Sequence, residues 1–131
     1  MKRALFLGLL FLALAAQQSV SAHHSFAATY FVDKSVTVDG KVVQFLFRNP
    51  HSFVHIEAKD AKDDKGQPVR WAAEWAAGTA LNSQGVDREA LKVGDEVKAT
   101  GNPGRVAEEH RMRLSSIVRP KDGWKWSGTF Q

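Results

Sequence analysis

Five histidines, His23, His24, His51, His55 and His110, carry the concentrated chemistry of this 131-residue sequence, which contains no cysteine. Imidazole is the commonest metal ligand outside thiolate sites. Beyond the first 22 residues the only thioether is Met112, so a soft Cu(I) site is poorly supplied. Cu(II) or Zn(II) fits better, with copper favoured in affinity among divalent ions. His23 and His24 follow directly on Ser19-Val20-Ser21-Ala22. Cleavage after Ala22 would leave His23 first in the mature chain, with its α-amine and Nδ1 both free to chelate. A further imidazole would complete a copper brace, and His24 could contribute instead through a ring formed with the backbone amide. Cleavage after Ser21 would leave Ala22-His23-His24. That start places a histidine third from the free amine and favours square-planar Cu(II) chelation at the terminus itself.

Strand geometry restricts the remaining partners. If residues 52–58 are extended, His51 and His55 stand four rises apart, roughly 13 Å, and cannot share one ion. His51 is the better partner for the N-terminal pair because it follows Pro50 at a strand turn, where loops carry ligands. The candidate metal set is therefore His23, His24 and His51. The same Asn49-Pro50-His51 stretch also reads as a turn in which the Asn side chain caps backbone groups. His110, on an apolar face with Met112 and Leu114, reads as structural. His55 with Glu57 and Arg70 reads as a solvated sheet face, and Trp71 and Trp75 as core. Glu74 reads either as a lone surface acid or as a buried one with a partner.

The elements that must position these residues come next. Residues 1–22 have a basic start, an apolar run over 4–16 and small residues at 20–22, which is the pattern of a secretory signal peptide. The apolar run is short of the ~20 residues a membrane span needs, and no later stretch is longer, so the mature chain is expected to have no membrane span. The 18 Lys and Arg, less Lys2 and Arg3, leave 16 against 14 Asp and Glu, a net +2. A balance this mild, on an exported chain, argues against nucleic acid as a partner. Without cysteine there is no disulfide framework and no lipid-anchoring Cys.

Residues 23–131 form one domain's worth of chain. Its dominant period is two. Residues 35–47, "SVTVDGKVVQFLF", predict one long strand bent at Gly40. Residues 52–58 alternate cleanly, "KDAKDDKGQP" supplies a charged hairpin, and "VRWAAEWA" gives a third strand. A short helix is predicted over 79–84, with Thr79 as its N-cap and Gly85 as its stop. A fourth strand is expected over 96–100 and a fifth in "HRMRLSSIV", while the Trp-containing tail adds a short edge strand or lies on the barrel. The order β-β-β-α-β is that of an OB-fold, a small five-stranded barrel. A β-sandwich usually wants about seven strands.

The pieces "HHSFAA", "GKVVQFLFRNPH", "WAAEW", "LKVGDEVKATGNP" and "KDGW" resemble a family of small exported bacterial proteins catalogued as a domain of unknown function. The resemblance implies export and a compact β-rich domain, and carries no activity with it. The chain departs from the family pattern at Thr29, where an acid is common, and at Val86, where Gly-Trp often follows the helix.

No nucleophile motif, phosphate loop or cofactor fingerprint is present, so the chain is not expected to be an enzyme. The first expectation is a periplasmic binding or accessory protein, with copper(II) handling as its sharpest form. The alternative is a metal-free OB module that binds a protein partner in an envelope complex. A copper oxidase or monooxygenase built on His23 ranks third.

Overall fold

The structure, a computed structural model, describes residues 26–129. The expected signal peptide, residues 1–22, and His23 and His24 lie outside those residues. A single helical turn, α1 (Phe26–Thr29), precedes β1 (Val36–Leu46), β2 (Ser52–Lys62) and β3 (Pro68–Trp75). A short helix α2 (Gly78–Ser83) leads to β4 (Glu96–Pro103), and a 3-10 turn (Ala107–Glu109) to β5 (Arg111–Arg119) and β6 (Trp124–Ser127).

β1 pairs antiparallel with β2 on one edge and with β4 on the other, and β2 pairs with β3. β4 pairs with β5, and the first residues of β5 run parallel to β3, which closes a five-stranded barrel in the OB order. β6 takes the free edge of the second half of β5. The expected tail strand is thus present and lies outside the closed ring.

Period-two alternation produces the core, with a register shift between Leu114 and Ser116 that turns Ile117 inward as well. Val38 and Val42 of β1, Val54 and Ile56 of β2, Ala73 and Trp75 of β3, Val97 and Ala99 of β4, and Met112, Leu114 and Ile117 of β5 all point inward and are buried. Leu81 of α2, with Val86 and Leu91 after it, joins the same cluster. Trp75 sits at its centre, edge-to-face with Trp126 at 5.0 Å between ring centroids. Trp71 is only partly buried.

Three local details differ from the sequence expectation. β2 continues to Lys62, which pairs with Pro68 beyond a register shift that follows Glu57, and the hairpin is held by Asp63 Oδ1, which accepts from the N–H groups of Lys65 (2.8 Å) and Gln67 (2.9 Å). The start of α2 is capped from the β1–β2 loop and not by Thr79. Both the N–H and the hydroxyl of Thr79 donate to Asn49 Oδ1, at 3.2 and 3.3 Å. Asn49 therefore does cap backbone, as one reading of its turn expected, and in doing so ties the loop that carries His51 to the helix at the barrel's end. The third difference is α1, a four-residue turn too short to leave a periodic signature.

Candidate functional site

The N-terminal segment lies on the outside of the seam where β3 meets β5. Tyr30 forms a β-bridge with Gly104, the N–H of Phe31 donates to Pro103 O (2.9 Å), and the N–H of Arg105 donates to Thr29 O (2.9 Å). The Arg105 side chain adds Nε to Ala27 O at 2.7 Å. Phe26 stacks against the His51 ring, with centroids 6.1 Å apart and planes 19° from parallel. The Arg113 guanidinium stands 3.7 Å from the Phe26 centroid.

Beneath this segment is Glu74. Its neighbours Ala73 and Trp75 point into the core, so Glu74 projects from the outer face of β3, across from Phe53 on β2 and Arg113 on β5. It is nonetheless only 6% exposed. Buried carboxylates need partners, and Glu74 has three. The Tyr30 hydroxyl donates to Oε2, His51 Nδ1 bonds Oε1, and Arg111 Nη2 donates to Oε2 at 3.4 Å. Arg111 also reaches the Tyr30 hydroxyl oxygen at 3.4 Å and Glu109 at 3.7 Å.

The hydrogen-bond inventory fixes the roles. Against an ionised carboxylate, which only accepts, His51 donates from Nδ1. A carboxylate behind one nitrogen of an imidazole is how metal-ligating histidines are oriented and made more basic. The side chain of His51 remains 37% exposed, so the ring can be approached from solvent.

Tyr30 is almost completely buried. Burial first, and then the hydrogen bond to Glu74 and its negative charge, push the phenol well above its ordinary value near 10, with Arg111 opposing. Because the folded-state value exceeds the unfolded one, the Tyr30 contribution to stability is complete below about pH 10 and is lost as the pH rises further. The chain has one tyrosine, so the tyrosinate absorbance reports Tyr30 alone. We expect that band to appear at ordinary phenol pH in denaturant and well above it in the folded protein, with Tyr30→Phe removing this part of the alkaline instability. A normal titration in the folded state would show the hydroxyl to be open to water.

Of the expected metal set, His51 is brought into this cluster, while His23 and His24 fall outside the described residues. In sequence His24 stands two residues before Phe26, a reach of about 7 Å in an extended chain. His55 projects from the same outer face of β2, stacked on Phe53 at 6.5 Å, and takes no part in the cluster. Partial burial, then Arg70 and Arg48, hold the His55 ring below its usual value. His110 adopts a left-handed backbone (φ 46°) at the end of the 3-10 turn, with its ring edge-on to Trp71 at 5.5 Å. Its carbonyl accepts from the Ala72 N–H at 2.9 Å, a structural placement at the β3–β5 seam. Among the described residues no three His, Asp or Glu side chains converge as a ligand group.

Residues 11–113 match the model of a family described as a family of unknown function (DUF6152). The chain belongs to that family. The DUF6152 match takes in Tyr30, His51, Glu74 and Arg111, together with His23 and His24, and ends within β5. No curated protein and no solved structure matches the chain. DUF6152 membership therefore names no activity, and the chemistry has to be argued from the site.

Proposed function

We propose that this DUF6152 protein is an exported, non-catalytic binding or accessory protein of the periplasm that holds Cu(II), or another divalent metal, through His51 and the N-terminal histidines His23 and His24. The observation that carries the reading is the His51–Glu74 contact. It engages Nδ1, orients the ring, and backs it with a buried carboxylate, as in metal-ligating histidines that bind through their other nitrogen. Two further facts support it. Phe26 packs on His51, so the chain enters the described domain beside the ligand. The donor set is imidazole and amine with no thiolate, which suits Cu(II) or Zn(II).

The test uses protein exported to the periplasm and purified from it. Its intact mass gives the mature start, and a second mass with one equivalent of Cu(II) gives the stoichiometry. A chain beginning at His23 should hold one copper. His51→Ala and a His23→Ala, His24→Ala double variant should each lose it, while His55→Ala keeps it. Equal binding by all of these variants would refute the proposed ligand set.

A further inference from the structure

The outer face of β1, β2 and β3 beside this site is assigned no role by the metal reading. Strand register arranges it in three rows: Leu46, Phe53 and Glu74; Gln44, His55 and Ala72; Lys41, Glu57 and Arg70. A bulge between Val42 and Gln44 keeps both Lys41 and Gln44 on this face. Glu74 is sealed beneath Tyr30, so within these rows Glu57 alone presents a carboxylate to solvent, and Glu96 of β4 follows beside Lys41 at the far end of the third row; the cations are Lys41, Arg70 and the neighbouring Arg48.

The cations are available in different degrees. Arg70 donates to Glu57 at 3.2 Å and remains exposed. Arg48 is exposed and lies 5.5 Å from the Phe53 ring centroid, and among the described residues it meets no carboxylate. Burial first, and then the charges of Arg70 and Arg48, disfavour protonation of His55 in the middle row. A phenyl ring with one arginine over it and a second two rows along the strand combines residue types that protein interfaces favour.

We propose that this face docks an extended acidic segment of a partner protein, with its carboxylates on Arg48 and Arg70 and an apolar side chain on Phe53. Charge complementarity selects an acidic occupant. Spacing selects a polypeptide over a single small anion: Phe53, beneath Arg48, and Glu57, beside Arg70, are four strand rises apart, about 13 Å. An occupant that spans the strip gains its affinity from several separated contacts. The inference goes beyond the metal reading and does not depend on it.

The experiment titrates metal-free mature protein, with a chelator present, against the capped peptide Glu-Glu-Phe-Glu-Glu, followed by NMR. Resonances of Phe53 and His55 should shift, and the His55 ring should titrate at higher pH in the complex because the added carboxylates offset Arg48 and Arg70. Arg48→Gln with Arg70→Gln should weaken binding by about tenfold or more, with further loss at high salt. Arg88→Gln, on the other side of the β1–β2 loop against Phe47, should leave it unchanged. The proposal is overturned by absence of binding, or by equal binding of the Gln-Gln-Phe-Gln-Gln peptide. It is also overturned if inorganic phosphate or phosphatidylglycerol vesicles give the same shifts, which would make the face a phosphate or lipid site. A concentration-dependent dimer that broadens the same resonances without peptide would make a second copy the occupant, and would equally sink it.

Discussion

Gly40→Ala and Gly101→Ala are each expected to lower the unfolding free energy by about 3–5 kcal/mol, a large part of what a domain of this size has in total. A Cβ on Gly40 would stand 2.1 Å from the carbonyl oxygen of Glu57 and 2.8 Å from Ile56 Cγ2. One on Gly101 would stand 2.1 Å from the carbonyl oxygen of Arg113. These obstacles are mostly backbone, so no side-chain rotation relieves them and a strand must move. Both glycines sit where the sheet has to curve to close. Gly40 is paired on both sides, with Ala58 of β2 and Val97 of β4, and Gly101 follows a register shift opposite Leu114. Urea denaturation of the two variants measures the loss. Gly66→Ala is the control, a turn position at φ 77° with nothing near its Cβ, where the backbone penalty alone costs about 1–2 kcal/mol. Losses at Gly40 and Gly101 no greater than at Gly66 would show that the strands can separate there without harm to the barrel.

Gly40 also shows why much of this fold was legible in the sequence. Alternation over 52–58 and in "VRWAAEWA" is a local signal, and one glycine interrupting a run of β-branched residues marks the bend. Five strands with a helix after the third then leave few barrel topologies, and the observed pairing is the OB order. The site was legible in part. His51 stands out as a histidine after Asn-Pro at a strand turn, and Asn49 turns out to cap α2. Glu74 is different, because parity sends it to the polar face of β3 and nothing nearby announces that the face is covered there. Its cover comes from Tyr30, 44 positions earlier, and its guanidinium partner Arg111 from 37 positions later. Pairings at that separation have no periodicity to betray them, and neither does the parallel contact of β3 with β5 that brings Arg111 alongside.

Glu74→Gln is expected to separate the two things this cluster can do. An amide offers one acceptor oxygen and one donor nitrogen where the carboxylate offers two acceptors. With its oxygen toward Tyr30, the substituted amide presents its NH2 group to His51 Nδ1, which must then give up its proton and carry it on Nε2, the atom a metal needs. With its oxygen toward His51, the Tyr30 hydroxyl loses its acceptor in a buried place, and in either case Arg111 loses its buried charge partner and keeps only the more exposed Glu109. Divalent metal affinity should therefore fall about 10–100-fold, the usual cost of losing such a supporting carboxylate. Stability should fall by about 1–3 kcal/mol. Tyr30→Phe provides the contrast, since it leaves the His51–Glu74 contact intact while removing one of the bonds that pin the N-terminal segment. It should lower stability by about 1 kcal/mol with metal affinity nearly unchanged. Measured by competition with a chromophoric Cu(II) chelator and by urea denaturation, the two variants give a pattern that a purely structural cluster cannot produce. If Glu74→Gln loses stability and keeps its copper affinity, then Glu74 serves to clasp the N-terminal segment against the β3–β5 seam, and the orientation of His51 is set by its packing on Phe26.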